Sequence, residues 1–302
     1  MRVLITGATG LIGGQIVKAC LAQGFRVNYL TTRKDKIKDE LNLKGYYWNP
    51  ESGDIDQDCF SNVSVIIHLA GANIAKRWTA SYKEKIVKSR TSTTSLLYAS
   101  LVKTKNTSVK QLISASAIGI YPSSFTDVYH EENALIDDSF LGEVVEDWEN
   151  TVDAFKMLNI KVSKIRTGLV LSNSGGFLKP SVTSVKMFLG APLASGNQWQ
   201  SWVHINDLVG IYMHLLKNEK EGVYNGVAPN PVTNKEMTRE IAKILKKPFY
   251  PIGVPKFLLK LILGEMSCLV ICSQNVSADK VLEEGYVFEF TDLKDALVDL
   301  LV

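Results

Sequence analysis

Three glycines near the amino terminus have the spacing of a phosphate-binding turn: Gly7, Gly10 and Gly13. The apolar run 2–6 precedes them, and residues 11–22 have the pattern of a helix. In such a strand–turn–helix the first glycine permits a sharp turn, the second admits a pyrophosphate to the backbone, and the third lets the helix pack on the sheet. The helix amides and dipole then attract the phosphates. The segment predicts a dinucleotide-binding site; the alternative is an ordinary turn. The expected contacts are Gly7, Thr9, Gly10, Leu11, Ile12 and Gly13.

The end of the second predicted strand, residues 26–30, indicates which dinucleotide the site takes. Folds that bind NAD(H) usually have an Asp or Glu at this strand end, where its carboxylate binds the ribose 2′-hydroxyl. Here no acidic residue occurs before Asp35, whereas Thr32 and Arg33 have the groups that hold a 2′-phosphate. We therefore expect NADP(H) as the cofactor. The alternative is that Thr32 and Arg33 are surface residues of a turn.

Strands and helices alternate along the first half of the chain, and this order predicts an α/β fold. The apolar run 63–69 is typical of a central parallel strand, and it ends in small residues where ligands lie in such sheets. We expect a doubly wound parallel sheet (Rossmann fold) with helices on both faces. The other predicted strands are 110–116 and 161–166, and the long helices are 82–103 and 140–158.

The sequence becomes richer in glycine and serine after about residue 172, which predicts a second, smaller and mainly helical domain on the substrate side. We assign residues 1–172 to a dinucleotide-binding domain, with 203–232 returning to its sheet. Residues 173–202 and 233–302 form the smaller domain. The further predicted elements are helices 208–216 (with Asn206 or Asp207 as N-cap) and 257–272, and strands 222–226 and 286–290.

Composition excludes several classes of function. The chain has 302 residues, of which 46% are hydrophobic, and a net charge of +3 with dispersed Lys and Arg, so we expect no nucleic-acid partner. No apolar run reaches the roughly 18 residues that a membrane span needs, and a strand at residue 2 leaves no room for a signal peptide. The four cysteines are scattered apart from Cys268 and Cys272, which have no accompanying metal ligands. We expect a cytoplasmic protein with no metal and no membrane partner.

Several longer motifs resemble the extended short-chain dehydrogenase/reductase superfamily. The resemblance is closer to its atypical "epimerase family" branch, sometimes labelled a cell-division inhibitor homologue, and it spans nearly the whole chain. It implies the Rossmann fold and a small-molecule substrate. The matching segments are 68–71, Ser114–Tyr121, Phe140–Glu149, Trp202–Asp207, Asn225–Pro229, Leu263–Met266, 273–274 and Gly285–Phe288.

The resemblance also shows what this chain lacks. The wider superfamily catalyses with a Ser or Thr and a Tyr-x-x-x-Lys pair, in which Lys lowers the Tyr pKa and Tyr moves a proton. Ser116 fits the hydroxyl position, but Leu141 and Val145 stand where the pair should be. Tyr129 and Asn133 have the right spacing but precede the helix. The superfamily mechanism therefore cannot be carried over, and another group must move the proton if chemistry occurs.

Four side chains are the candidates for catalysis: Ser116, Tyr121, Glu143 and His204. We favour Tyr121 as the proton donor, with Ser116 polarising a substrate carbonyl. Glu143 projects from the helix that lacks the Tyr, and His204 lies on a later segment expected to face the cleft. Each has a structural alternative: Tyr121 as a packed aromatic, Glu143 as a solvated charge, and His204 as a partner of Asp207.

Further cofactor contacts follow from the resemblance. Leu69 and Ala70 should pass under the adenosine ribose, and Val170 should line the nicotinamide end. Arg90 stands near the position at which the wider superfamily places an Asn beside the cofactor, with a surface helical Arg as the alternative. Arg166 is a cofactor-side residue or a structural ion-pair partner.

The sequence leaves two functions open. One is an NADP(H)-dependent oxidoreductase or epimerase that acts on an unidentified small polar or nucleotide-linked substrate. The other is a catalytically inactive NADP(H)-binding regulatory or scaffold protein, which the missing pair favours. Relatives in the superfamily commonly dimerise through the two long helices, but Lys83, Lys85 and Lys88 make the first of these polar. Monomer and homodimer both stay open.

Overall fold

The computed structural model describes residues 1–133 and 135–302. The α-helices are α1 Leu11–Ala22, α2 Ala80–Lys103, α3 Phe140–Asp153, α4 Leu178–Lys186, α5 Ile205–Lys217, α6 Asn234–Ile244, α7 Lys256–Leu263, α8 Cys268–Ile271, α9 Asp279–Glu283 and α10 Leu293–Leu301. The strands are β1 Arg2–Thr6, β2 Arg26–Thr31, β3 Asp39–Glu40, β4 Leu43–Asn49, β5 Asp54–Ile55, β6 Val65–His68, β7 Gln111–Ala117, β8 Val128–Tyr129, β9 Lys161–Thr167, β10 Leu169–Ser172, β11 Gly175–Gly176, β12 Trp199–Gln200, β13 Trp202–His204, β14 Gly222–Gly226, β15 Val232–Thr233 and β16 Asn275–Val276.

The main sheet has the strand order β14-β9-β7-β6-β1-β2-β4-β3, and β5 pairs with β4. The seven strands from β14 to β4 all run parallel, which confirms the predicted α/β fold. The strand order reverses at β1, because β2 pairs with one edge of β1 and β6 pairs with the other. Ligands of doubly wound sheets bind at the carboxyl ends of the strands at such a switch point.

Alternate residues of the central strands pack on opposite faces of the sheet. Val3 and Ile5 of β1 join one core with helices α1 and α5, whereas Leu4 joins another with α2 and α3. Both faces of the strand are therefore buried, as expected for parallel strands flanked by helices. The predicted strand 222–226 is confirmed as β14, which pairs in parallel with β9 at the sheet edge.

A third buried cluster lies in the later part of the chain and joins α4, α6 and α10. Its members include Leu178, Met237, Ile241 and Leu297. Most of them come from the segments assigned to the smaller domain, although Leu171 and Ala228 of the other segments also contribute. The exact division of the chain into two domains stays a prediction. No helix among residues 1–133 and 135–302 is both long and apolar enough to cross a membrane.

Several predicted elements were wrong in detail. Residues 286–290 are not a strand: the amides of Glu289 and Phe290 donate to the Asp207 carboxylate, and that of Tyr286 donates to the Val281 carbonyl. Helix 257–272 is broken at Gly264, whose φ of +59° lies in the left-handed region. The N-cap of α5 is His204 rather than Asn206 or Asp207. Finally, α3 gives way to a 3₁₀ turn at residues 154–158.

Candidate functional site

The glycine-rich turn connects β1 to α1 at the switch point of the sheet. Gly7 has a φ of +68°, and a Cβ there would lie 2.9 Å from the Leu69 carbonyl. A Cβ on Gly13 would lie 2.2 Å from the Gly7 oxygen. Both positions therefore require glycine for the chain to fold in this way. These glycines hold the turn close to the end of β6.

Gly10 differs from the other two glycines. Its φ is −84°, which any residue can adopt, and a Cβ would come no closer than 3.2 Å to a protein atom, the Gly7 oxygen. A Cβ at this distance is tight, so the Gly7 carbonyl would have to shift by a few tenths of an ångström, but the position is far less restricted than those of Gly7 and Gly13. The absence of a side chain keeps the surface of the turn open, which is what a pyrophosphate lying against the backbone needs.

The amino end of α1 has free hydrogen-bond donors. Gly10 is the N-cap, no side chain caps the helix, and no acidic residue stands in its first turn. The amides of Leu11 and Ile12 thus have no partner within the helix, and the helix dipole adds positive potential there. The β10–β11 hairpin covers this end, since the Cβ position of Gly176 lies 3.5 Å from the Leu11 side chain. Val170 lies in this hairpin, and Thr9 lies in the glycine-rich turn that precedes α1.

A buried hydrogen-bond network fixes the loop that follows β6. The Thr6 hydroxyl accepts the amides of Leu69 and Ala70 at 3.0 and 3.1 Å and lies 2.8 Å from Nδ1 of His68. Nε2 of His68 lies 3.0 Å from the Thr94 hydroxyl. Burial lowers the pKa of His68 to about 3, so the ring is neutral. This network was not predicted, and it leaves only side chains and carbonyls of Leu69 and Ala70 for a cofactor.

Arg90 of α2 is a cation without a carboxylate partner in the part of the chain that the structure describes. Its Nη1 donates to the Ile86 carbonyl at 2.9 Å, and its guanidinium stacks on Trp148 with 5.1 Å between Cζ and the ring centroid. The Cβ position of Gly71 lies 3.4 Å from Cζ. Burial lowers the pKa of Arg90 to about 10. The guanidinium stays charged at neutral pH and lies beside the loop after β6, where an anion could bind it.

Thr32 and Arg33 follow β2 and are both exposed. The amide of Arg33 donates to the Thr31 hydroxyl at 3.1 Å. The Arg33 guanidinium pairs with Asp35 at 3.3 Å, and both side chains are more than half exposed. Such a surface pair is worth little, so Arg33 can turn to another anion at small cost.

The structure corrects the prediction for Ser116. Its hydroxyl donates to the Glu149 carboxylate at 2.6 Å, and the Arg166 guanidinium binds both oxygens of that carboxylate at 2.9 and 3.0 Å. Lys164 lies 3.4 Å from the same group. All four side chains are buried, so the proton of Ser116 points at an ion cluster and not at a substrate carbonyl. The cluster keeps the pKa of Glu149 below its usual value, although burial acts in the opposite direction.

Tyr121 belongs to the same network, which removes the geometric reason to regard it as the proton donor. It is fully buried. Its hydroxyl donates a hydrogen bond to Oδ1 of Asn225 at 2.8 Å and accepts one from Nη1 of Arg166 at 2.9 Å. Its ring stacks on Tyr129 with 5.1 Å between the centroids. Burial raises the pKa of Tyr121 to about 12. These contacts therefore fit the alternative for Tyr121, in which it is a packed aromatic residue of the core.

His204 is also placed away from a cleft. It caps α5 by accepting the Asn206 amide at Nδ1, and Nε2 lies 3.2 Å from the Asp299 carboxylate. The centroid of its ring lies 4.0 Å from that of the Phe290 ring. The His204 side chain is almost fully buried, and this burial lowers its pKa. These contacts fit the structural alternative for His204 rather than catalysis, although its carboxylate partner is Asp299 and not Asp207 as predicted.

A cavity of about 540 Å³ lies between the amino end of α3 and the segment 256–272. Leu141, which occupies the position of the missing Tyr, is part of its wall, whereas Glu143 is exposed on α3 outside the lining. Lys83 reaches across from α2 to Glu265 at 2.6 Å and lies 4.6 Å from the Phe140 ring. The titratable residues of the wall are Lys256, Lys260, Glu265, Cys268 and Cys272.

Comparison with known proteins gives consistent matches along the chain. The model of the NAD dependent epimerase/dehydratase family matches residues 3–138, and that of a domain of unknown function matches residues 254–300. An epimerase family protein of Staphylococcus aureus (strain N315) is 36% identical over 299 residues, which are 99% of this chain and 98% of the relative.

Two solved structures at 28% sequence identity share the fold. Human epimerase family protein SDR39U1 (isoform 2), crystallised with NADPH, has a TM-score of 0.84, and the match covers 99% of both chains. A nucleoside-diphosphate sugar epimerase from Corynebacterium glutamicum has a TM-score of 0.79, and the match covers 100% of this chain and 58% of that one.

Proposed function

Since the chain belongs to the epimerase family of extended short-chain dehydrogenases/reductases, we propose that it binds NADP(H) and acts as an oxidoreductase or epimerase on a small polar or nucleotide-linked substrate. The observation that carries the proposal is the surface at Gly10, which carries no side chain although the fold restricts this position far less than those of Gly7 and Gly13. Unpaired helix amides lie directly beside it. A pyrophosphate fits both features.

The choice of NADP(H) rests on the residues after β2. A 2′-phosphate would meet the Thr32 hydroxyl and the Arg33 guanidinium, and Asp35 would give up its exposed ion pair with Arg33. The human relative crystallised with NADPH agrees with this choice. We propose that Arg90, which lies on α2 beside the loop after β6, is a second cation that binds an anionic part of the cofactor or substrate.

We expect Arg33→Asp to weaken NADPH binding by about 5- to 150-fold, because a charge-assisted hydrogen bond is worth roughly 1–3 kcal/mol. NADH, which has no 2′-phosphate, should bind the variant about as well as the parent. Calorimetric titration of both cofactors into both proteins measures the two ratios. Lys36→Ala removes a neighbouring surface cation and should change neither. Equal weakening of NADPH and NADH, or tighter binding of NADH by the parent protein, would contradict the NADP(H) assignment.

The substrate would lie in the cavity beside Leu141. When bound, NADP(H) supplies or accepts the hydride, and the protein must move the accompanying proton. Ser116, Tyr121 and His204 are committed to buried hydrogen bonds, and Glu143 lies outside the lining. The titratable residues of the wall are the remaining sources of that proton, with Glu265 the carboxylate among them.

The decisive experiment is a screen of metabolites against the protein loaded with NADPH. Loss of the near-ultraviolet absorbance of NADPH on addition of a carbonyl compound or sugar nucleotide would establish turnover. Leu141 in place of the Tyr and the engaged proton of Ser116 favour a second function, a regulatory or scaffold protein that holds NADP(H) without turnover. Tight binding of NADPH with no substrate consumed would support that second function and contradict the enzyme.

A further inference from the structure

Two cysteines lie one helical turn apart in the wall of the cavity. Cys268 begins α8, and the amide of Cys272 donates to the Cys268 carbonyl at 2.9 Å, which closes a full α-helical turn. Helix geometry places Cα atoms at this spacing about 6 Å apart. A disulfide needs a Cα–Cα distance of roughly 4.4–6.8 Å. The Cα atoms are therefore close enough for a disulfide. Cβ atoms one helical turn apart are about 5–6 Å apart, whereas a disulfide needs about 3.5–4.5 Å, so the end of this four-residue helix must shift for the bond to form.

The two thiols are close enough to change each other's acidity. Contact with Cys268 lowers the pKa of the Cys272 thiol and outweighs its burial, and the Lys256 ammonium acts in the same direction. Contact with Cys272 raises the pKa of Cys268, as does burial. Cys272 is thus the first of the pair to ionise, and the thiolate is the nucleophilic form of cysteine. The second thiol stays protonated beside it.

Access distinguishes this pair from the other two cysteines. Cys268 and Cys272 are partly exposed and line the cavity, so a small oxidant can reach them. Cys20 and Cys59 are completely buried in the cores on the two faces of the sheet. Burial raises the pKa of Cys20 to about 12 and also raises that of Cys59. The buried cysteines are inert by comparison and serve as internal controls.

We propose that Cys268 and Cys272 form a redox-active dithiol that a hydroperoxide converts to an intrachain disulfide. With hydrogen peroxide, the Cys272 thiolate attacks one oxygen, the O–O bond breaks, and the products are a sulfenic acid and, after protonation, water. The Cys268 sulfur then attacks the Cys272 sulfur, so that an S–S bond forms and a second water leaves. Two thiols lose two electrons and two protons in all, and the peroxide is reduced to two waters.

Thiol counting and intact mass on the folded full-length protein test this proposal. After exposure to hydrogen peroxide and quenching, the free thiols measured in denaturant should fall from four to two. The mass should fall by about 2 Da, because a disulfide forms with loss of two hydrogens. Dithiothreitol should reverse both changes, and peptide mapping should join residues 268 and 272.

Single substitutions separate the two roles. Cys268→Ser should stop at a sulfenic acid on Cys272, which dimedone traps, with no disulfide. Cys272→Ser should leave Cys268 largely unmodified under the same exposure. A 2 Da loss that persists in Cys268→Ser, or a bridge that involves Cys20 or Cys59, would overturn the assignment. So would four free thiols in the peroxide-treated parent protein.

A second measurement needs no substitution and so does not depend on the folding of a variant. Phenylarsine oxide bridges two neighbouring thiols, and we expect the native parent protein to bind it with a stoichiometry of one. Bound reagent should protect Cys268 and Cys272, but not the two buried cysteines, from alkylation after unfolding. Absence of stoichiometric binding to the reduced native protein would contradict a reachable dithiol.

Discussion

Replacing Arg166 with Met is expected to lower the free energy of unfolding by about 3 kcal/mol, the lower end of the range for breaking a buried ion pair, since Lys164 still faces the carboxylate. The substitution leaves Glu149 buried without its bidentate partner and removes a donor from the Tyr121 hydroxyl. Urea denaturation of parent and variant measures the difference. An effect below about 1 kcal/mol, as is typical of surface pairs, would contradict a structural role for this cluster.

A matched substitution on the same strand provides the control. Lys161 begins β9 and pairs with Glu219 at 2.8 Å, but both side chains are largely exposed. Lys161→Met should therefore change the free energy of unfolding by less than about 1 kcal/mol. It removes a cation and introduces the same side chain as Arg166→Met does. A comparable loss in both variants would show that burial of the ion pair does not matter here.

The same cluster predicts a dependence of stability on pH. Since the pKa of Glu149 is lower in the folded protein than its ordinary value of 4.5, Glu149 contributes stability above that value. The contribution is lost as pH falls through the lowered pKa. The difference between the parent protein and Arg166→Met should therefore be largest near neutral pH and should shrink under acid conditions. A difference that grows on acidification would contradict this assignment.

The parts of the site that could be predicted from sequence are those that depend on local chain geometry. The spacing of Gly7, Gly10 and Gly13 after a short apolar run predicts the strand, turn and helix without knowledge of the rest of the fold. The alternation of later strands and helices predicts a parallel sheet, because parallel strands need a crossover connection. These features follow from neighbours in the sequence, and the structure has them.

The roles of Ser116 and Tyr121 could not be predicted in the same way. The strand that carries Ser116, with Tyr121 just beyond its end, was predicted correctly, but the partners of the two hydroxyls come from α3, β9 and β14, far away in the chain. Only the assembled fold brings Glu149 and Arg166 together. The network of Thr6, His68 and Thr94 was missed for the same reason, although a hydroxyl and a ring at neighbouring strand ends could have suggested it.

Gly10→Val is expected to raise the dissociation constant for NADPH at least about 100-fold while the protein stays folded. The valine side chain would occupy the surface where the pyrophosphate must lie, so that at least two charge-assisted hydrogen bonds from helix amides, worth roughly 1.5–3 kcal/mol each, are lost. The backbone at Gly10 is ordinary, with a φ of −84°. Fluorescence titration of NADPH measures the affinity, and circular dichroism during heating measures the fold.

Two neighbouring glycines distinguish a ligand requirement from a folding requirement. A Cβ on Gly14 would meet the Ala8 carbonyl at an ordinary 3.6 Å, so Gly14→Ala should retain both the fold and NADPH binding. A Cβ on Gly13 would lie 2.2 Å from the Gly7 oxygen, so Gly13→Ala should lower thermal stability as well as binding. Gly10→Val should lose NADPH binding with a smaller loss of thermal stability than Gly13→Ala, because its Cβ would lie 3.2 Å rather than 2.2 Å from the Gly7 oxygen. Normal NADPH affinity in a folded Gly10→Val protein would remove this turn from the cofactor site.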